Sequence, residues 1–500
     1  MFDIFKLIIF EKENPLPLYV QLFNKVKELI ESEALLPDFK LPSIRQMSKE
    51  LNINRVTVVT AFKELEKQGY AYTKPGSGTF VSNAYLVSPK NIHIQNNVVL
   101  DEVYNQDDIS LINNGQISIS QSTINFASAT PTPDLFPVDD FKVALNQVLE
   151  RDKGNAFGYQ DSQGFYPIRE SIAGILNKSN VSCIPDELQI ISGAQQGIDI
   201  ISKALLKQGD YVITESPTYT GAIAVFKSRG AQISDIELCE DGLNLNILEY
   251  TIKKYNPKLI YTIPSFQNPT GYSCTNAKRE EVIKLAEKYN LYIIEDDYVS
   301  DLDFEGKNYI PMKSLDKYNR VIFIKSYSKI FMPGLRLGFM IVPSSILSNV
   351  IKAKHATDIS TSGLIQRAFD LYIREGFWDK HARFMFNIYK DRYLKITNAL
   401  DNYLPSSASY IKPGGGLNIW ISLPFGFSIN KLFNLSVSND IVFAPGKIFY
   451  SSNSSQKHNN IRLSFASVYA DKIESGIEKL SNTITSLQKI SESYRNLPVL

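Results

Sequence analysis

The sequence predicts an α/β body on a mostly parallel sheet with a smaller C-terminal α+β lobe, preceded by a separate winged helix-turn-helix domain. Three observations lead there. First, from Ile124 onward short apolar runs (188–191, 211–214, 259–263, 291–294, 321–324 and 337–342) alternate with helical stretches. Continuous apolar runs of that length suit strands covered on both faces. Second, long helical patterns after about Ser344 give way to Gly414-Gly415-Gly416 and two further runs, 417–421 and 461–465, which reads as a second, smaller lobe. Third, the first eighty residues follow the order helix, helix, turn, helix, hairpin. A chain of 500 residues also exceeds what one hydrophobic core usually organises.

The N-terminal elements are justified in order. Leu18, Leu22, Val26, Leu29 and Ile30 recur at helical spacing after Pro15 and Pro17, so a first helix runs to about Ser32. Leu41-Pro42-Ser43 stops the chain, and Ser43 is a good N-cap for a helix over about 44–51. Asn52-Ile53-Asn54 turns into a third helix, about 55–68, that directs Val56, Val59, Phe62 and Leu65 inward and ends at Gly69. Strand pieces at 70–73 and 79–82 flank Lys74-Pro75-Gly76-Ser77-Gly78, a hairpin with a cationic, flexible tip.

Such a domain reads nucleic acid. Asn54, Arg55 and Thr57 at the start of the third helix can reach base edges or phosphates. Arg45, near the start of the second, can hold phosphate. Lys74, Gly76, Ser77 and Gly78 can follow the backbone or minor groove. Residues 1–39 carry four Lys and seven acids, net −3, whereas residues 40–80 carry seven Lys or Arg and three Glu, net +4. The basic excess is thus local, in a chain whose net charge is +1. The plainer alternative is a helical dimerisation cap with ordinary surface cations. Pro17-Leu18-Tyr19-x-Gln21-Leu22, Leu41-Pro42-Ser43-x-Arg45-Gln46, Arg55-x-Thr57-Val58 and Gly76-Ser77-Gly78-Thr79-Phe80-Val81 together resemble the GntR family across residues 15–82. That resemblance implies a double-stranded DNA partner. One departure is Pro37-Asp38, where the family usually has glycine after the proline.

Residues 11–82 are therefore expected to form the DNA-binding domain, 83–122 (rich in Asn, Ser, Gln and Asp) a linker, and 123–495 the body. Cys183, Cys239 and Cys274 show no paired spacing, which favours a reducing, cytoplasmic setting over a disulfide framework. His93, His355, His381 and His458 make no close pair, so no metal site is expected. No run approaches the roughly 18 apolar residues of a membrane helix. Met1 to Phe10 lacks a cleavage site and reads as a packing arm.

The body carries the chemistry. Lys329 follows Ser326-Tyr327-Ser328 and precedes Pro333-Gly334-Leu335-Arg336. A lysine amine can condense with a carbonyl, and two hydroxyls plus an arginine fork suit a phosphate on the same ligand. This points to pyridoxal phosphate. Gly193-Ala194-Gln195 opens a helix whose backbone N–H groups can bind phosphate, or is simply a tight strand-to-helix turn. Tyr219 can lie on a planar ring, or be an ordinary core aromatic. Asn268, in Asn268-Pro269-Thr270-Gly271, can donate to a ring oxygen, or belong to a plain turn. In Glu295-Asp296-Asp297-Tyr298 one carboxylate can keep a pyridine nitrogen protonated; a solvated strand edge or a magnesium site are the alternatives.

Jointly and in this order these segments resemble fold type I, class I/II pyridoxal-phosphate aminotransferases over about residues 124–490. The resemblance implies Lys329 as the Schiff-base lysine, Asp296 at the pyridine nitrogen, and Asn268 and Tyr298 at the ring oxygen. It further implies Gly193, Ala194, Gln195, Ser326, Ser328 and Arg336 at the phosphate, and Tyr219 stacked on the ring. Arg462 would clamp a substrate carboxylate, and Tyr159 would reach a partner subunit's phosphate. A GntR reader joined to such a body resembles the MocR regulators. That implies a ligand-sensing, DNA-binding transcriptional regulator whose effector domain forms an aldimine with an amino acid or amine. A homodimer reading paired half-sites goes with it. The alternative is a working aminotransferase of the aminoadipate or kynurenine type with an accessory reader, which Pro264-Ser265-Phe266-Gln267-Asn268-Pro269-Thr270-Gly271 favours.

Overall fold

The computed structural model describes residues 5, 17–31, 35, 39–67, 70–74, 77–82, 122–424, 427–451 and 459–495. The chain divides into two compact units, Met1–Asp101 and Glu102–Leu500. Pro37, Asp38, Gly69, Pro75, Gly76 and nearly all of the expected linker lie outside the described residues.

In the first unit, helices α1 (Leu18–Glu31), α2 (Ile44–Glu50) and α3 (Arg55–Lys67) precede strands β1 (Ala71–Lys74) and β2 (Gly78–Val81). The strands pair antiparallel, Thr73 opposite Thr79. Ser43 caps α2, its hydroxyl accepting from the Gln46 amide. Leu22, Val26, Ile30, Met47, Val58, Ala61, Phe62 and Leu65 are buried. The third helix differs from expectation. Val56 is 68% exposed and Val58 lies inside. Asn54 accepts from the Val56 amide and starts the helix there, so Val56 falls on the first turn, away from the stripe 58, 61, 62, 65 that follows the helical period. Leu18 is likewise 44% exposed on the first turn of α1, and Phe23 joins the core instead.

In the second unit an eight-stranded sheet comprises β3 (Leu188–Ile191), β4 (Tyr211–Ser216), β5 (Gln232–Cys239), β6 (Gly242–Leu243), β7 (Leu259–Thr262), β8 (Tyr292–Asp297), β9 (Val321–Ser326) and β10 (Gly338–Ile341). Their spatial order is β3-β10-β9-β8-β7-β4-β5-β6. The pairs from β9 through β8, β7 and β4 to β5 are parallel. β10 runs against both its neighbours. The central strands are buried along nearly their whole length, as their unbroken apolar runs require. β5 was not anticipated: Gln-Ile-Ser-Asp-Ile-Glu-Leu-Cys is mostly half-exposed, with only Ile236 inside, and it serves near the sheet edge, where apolar continuity is not needed.

The smaller lobe holds an antiparallel sheet of β11 (Ser409–Tyr410), β12 (Asn418–Ser422), β13 (Ala444–Pro445) and β14 (Asn460–Ser464), in the order β11-β12-β14-β13. The chain entering the body pairs Ile124–Asn125 in parallel with Ile441–Val442. Before β12 the glycine run has a steric cause. A Cβ on Gly415 would stand 2.1 Å from the Leu302 carbonyl oxygen and 2.6 Å from the Phe266 ring. Only glycine lets this lobe approach the Phe266–Asn268 loop so closely.

Candidate functional site

The residues singled out in the body converge where parallel strands end. Gly193 follows β3, Tyr219 follows β4, Asn268 follows β7, Asp296 is the penultimate residue of β8, and Ser326 ends β9 with Ser328 and Lys329 just beyond it. Carboxyl ends of parallel strands are where open α/β sheets hold ligands, because the loops there diverge and leave a crevice.

The three acids of β8 alternate in direction and do three different things. Glu295 accepts from the amides of Met312 (2.7 Å) and Lys313 (2.8 Å). Asp297 pairs with Lys325 at 2.9 Å and accepts from Ser300. Asp296 faces the crevice. All three are at most 6% exposed, so they are no solvated edge. Asp296 Oδ2 accepts from the Tyr261 hydroxyl at 2.6 Å, while Oδ1 is buried with no partner. Burial, reinforced by Asp297, raises its pKa to about 6 against the Tyr261 hydrogen bond and the pull of Lys329. An orphaned buried acceptor is costly; a cationic or N–H donor placed there would satisfy it.

Lys329 stands near that carboxylate. Burial, then the charge of Arg462 and, less strongly, Arg336, lower its pKa to about 8 against the pull of Asp296. Its carbonyl accepts from Tyr389 at 2.8 Å. Ser326 Oγ donates to Ser328 Oγ (3.1 Å) and accepts from the Ser328 amide (3.2 Å), gathering both hydroxyls at the turn. Gly193, with φ of +92°, sits against Arg336, whose Nη2 would lie 2.8 Å from a Cβ there. Arg336 donates to the Ser192 carbonyl at 2.6 Å. The helix Ala194–Leu205 begins at this point with no side-chain cap, so its first amides are open to an anion. Gln195 Nε2 is bound to the Gly221 carbonyl, which leaves its backbone amide for that role.

On the opposite wall, Arg462 Nη1 donates to Asn268 Oδ1 at 3.2 Å and Nη2 to the Ala127 carbonyl, while Nε is buried without a partner. Both contacts of Asn268 use its carbonyl oxygen, so the donor end of the amide is the one available to a ligand. Tyr298 is engaged differently from the expectation. Its hydroxyl donates to the Phe266 carbonyl at 2.7 Å and accepts from Asn418 Nδ2 at 3.0 Å. Burial raises the Tyr219 phenol to about 12. Tyr159 is 85% exposed.

Two residues went unnoticed in the sequence. Asn418 spans Tyr298 and Asn268 from the facing lobe and keeps its own Oδ1 buried and unpartnered. Glu215, inside β4, accepts from Thr262, the Ile263 amide and Gln267, and Gln267 in turn holds Thr270 and the Pro217 carbonyl. This carboxylate anchors the loop that carries Asn268. A lone Glu before Ser-Pro-Thr-Tyr gave no signal; the neighbouring strand that needs it is 47 residues away.

In the first unit the groups expected to meet DNA are outward. Asn54, Arg45, Arg55, Lys74 and Ser77 are exposed, and Thr57 and Gly78 half-buried. Lys74 Nζ lies 5.3 Å from the centre of the Phe80 ring and Lys40 Nζ 5.9 Å from it, beside a Tyr72–Phe80 stack. Gly76 lies outside the described residues.

Residues 121–480 match the model for aminotransferase class I and II, and residues 18–81 match that for bacterial regulatory proteins of the gntR family. The chain belongs to the class I and II aminotransferase family and carries a gntR-family domain at its N-terminus. It is similar over its whole plan to the HTH-type transcriptional regulator NorG of Staphylococcus aureus, 30% identical over 447 residues, 88% of this chain and 98% of that protein. It is also similar to the 2-aminoadipate transaminase of Thermus thermophilus, 31% identical over 73% of this chain and 90% of the relative. The Pyrococcus horikoshii kynurenine aminotransferase structure superposes with a TM-score of 0.72 at 31% identity, covering 77% of this chain and 95% of that one. Reader plus aminotransferase-type body is the MocR arrangement.

Pyridoxal phosphate is the cofactor of this family, and the residues present fit it. Asp296 supplies a buried acceptor lacking a donor, Lys329 a depressed amine, and Gly193 a backbone that Arg336 packs against where a Cβ would intrude. Among the described residues no group of three His, Cys, Asp or Glu is placed to hold a metal ion, and no helix is long and apolar enough to cross a membrane.

Proposed function

We propose that the chain is a pyridoxal-phosphate-dependent, ligand-sensing regulator of transcription, which binds DNA through residues 18–81 and an amino compound through its aminotransferase-like body. The observation that carries this reading is the coexistence in one polypeptide of a gntR-family reader with outward Arg45 and Arg55 and an aminotransferase-family body in which buried Asp296 keeps an unpartnered acceptor.

When bound, pyridoxal phosphate supplies an aldehyde for covalent capture of an amine and an electron-withdrawing ring. Lys329, whose pKa burial lowers to about 8, keeps a useful neutral fraction near physiological pH and would be the residue that holds the aldehyde. Asp296, whose buried Oδ1 lacks a partner, would hold a proton on the ring nitrogen. Gly193, Ala194 and Gln195 offer backbone amides, and Ser326, Ser328 and Arg336 side-chain donors, to the phosphate. Tyr219 would cover the ring, and the donor end of the Asn268 amide would serve the ring oxygen. The Tyr298 hydroxyl, which donates to the Phe266 carbonyl and accepts from Asn418, orients the surroundings of Asn268. Arg462 meets a carboxylate with its planar fork, since Nε already lacks a partner.

A ligand that bridges the sheet end and the C-terminal lobe biases the body toward one arrangement, and a dimer of such bodies spaces two readers over paired half-sites. The cytoplasm is the compartment that accords with a DNA partner. Fluorescence anisotropy with DNA from upstream of the gene tests the reading: sequence-selective, salt-sensitive binding that shifts with an amino compound supports it. DNA binding no tighter than to random sequence would defeat it. Lys329→Ala should lose the visible cofactor band while still binding DNA.

A second reading, catalysed transamination, is favoured by the Arg462–Asn268–Asn418 constellation. Sustained turnover of an amino acid with a keto acid would establish it.

A further inference from the structure

Lys325 and Asp297 pair across β9 and β8. Each adjoins a residue of the crevice, Ser326 and Asp296 respectively, and neighbours along a strand point to opposite faces of a sheet. On that other face lies a separate cavity of about 90 Å³, lined by none of the residues assigned to the cofactor. Its depth is apolar: Ile172, Val181, Phe323 and Phe339 are at most 2% exposed. Its mouth is polar, since Ser179 and Asp301 are the exposed members of the lining. Lys325 Nζ is shared between Asp297 and Asp301, 2.9 Å from a carboxylate oxygen of each. Two carboxylates against one ammonium leave the lining with a net charge of −1. Tyr327 is 5% exposed and its ring packs against Phe369 (4.8 Å) and Trp378 (5.0 Å). Among the described residues its hydroxyl has no hydrogen-bond partner, and the charges acting on it are those of Lys325 and Asp301, which puts it at the polar end. A buried hydroxyl left so is costly.

We infer that this cavity is a second ligand site, for a small aliphatic ammonium ion, with an alkyl group of about four carbons in the apolar depth and the charged nitrogen at the mouth against Asp301 and the Tyr327 hydroxyl. Size sets the body of the ligand. An apolar cavity of roughly 150 Å³ holds one benzene ring, so about 90 Å³ takes a propyl or isobutyl group. Charge sets the head. The one cation on the lining is already engaged by two acids, so an anionic ligand would face net negative charge. An ammonium brings the cluster to neutrality and gives the Tyr327 oxygen a donor. Water displaced from the apolar walls adds to affinity. Occupancy of this site needs no carboxylate on the ligand and no cofactor, and it stands independently of the function proposed above.

The full chain is first treated with borohydride, which removes any aldehyde able to capture an amine, and is then titrated with isobutylamine by ligand-observed NMR. Saturable binding at least about tenfold tighter than that of methylamine is expected, because three further carbons enter the apolar depth at about fourfold each. Isovalerate, which has the same alkyl group and the opposite charge, should not bind. Asp301→Asn and Tyr327→Phe change one exposed charge and one hydroxyl and keep the packing, so each should fold as wild type by circular dichroism and weaken isobutylamine at least about fivefold. Absence of saturable isobutylamine binding, an affinity no better than that of methylamine, equal binding of isovalerate, or unchanged affinity in either folded variant overturns the inference.

Discussion

Asn418 and Glu215 show how single residues shape this site without standing in it. The Asn418 amide ties Tyr298 to Asn268 across the two lobes. Asn418→Leu removes those donors and leaves a side chain of similar bulk. Loss of one such hydrogen bond costs about 1 kcal/mol, so cofactor should bind several-fold more weakly with the fold intact, measured by equilibrium dialysis and circular dichroism. Glu215 is buried and its pKa is raised to about 7, chiefly by burial. A group whose pKa rises on folding favours the folded state below its unfolded value, and that contribution is lost as pH climbs through the folded value. Wild-type protein therefore loses stability from this group as pH rises from about 4.5 to about 7, whereas Glu215→Gln does not. The difference in Tm, variant minus wild type, should become more positive across that range. A flat difference would show that Glu215 is ionised in the fold at all of these pH values.

At the scale of elements, α3 and the β1–β2 hairpin divide labour by face. Val58, Ala61, Phe62 and Leu65 are buried, while Arg55 and Lys74 are exposed. Phe62→Ala should destabilise the first unit by roughly 3 kcal/mol, read as earlier loss of DNA binding on heating. Arg55→Ala should leave stability unchanged and weaken specific DNA binding by about 1–3 kcal/mol. If salt dependence falls by about one counterion with selectivity intact, Arg55 touches phosphate; if selectivity falls, it reads a base. At the other site the element that matters is β8, whose alternation sends Glu295 and Asp297 to structural partners and leaves Asp296 facing the ligand.

For the whole molecule the consequence is linkage. A cofactor that binds only the folded body adds stability of RT ln(1 + [L]/Kd), about 2.7 kcal/mol at a hundred times Kd. Pyridoxal phosphate should raise the body's Tm in wild type and much less in Lys329→Ala. Equal shifts would mean that binding does not need the amine.

Much of the fold is legible in the sequence. The reader's helices and wing fell where helical spacing, the Ser43 cap and the Lys74–Gly78 turn put them, because these are local signals a few residues long. The buried strands were visible as apolar runs for the same reason, and Lys329, Asp296, Asn268 and Arg462 as ordered motifs. What escaped was non-local. Val56 and Val58 exchange faces because one cap sets the helix phase. β5 is polar because its place near a sheet edge tolerates it. Glu215 and Asn418 acquire meaning only when a strand 47 residues away and the facing lobe arrive beside them. Chain order alone determined that one protein would join a gntR-family reader to an aminotransferase-family body. The tertiary structure decided which of three adjacent acids keeps an unpartnered oxygen and how Asn418 meets Asn268 across the lobes, since direction along a strand and the meeting of distant lobes are properties of packing.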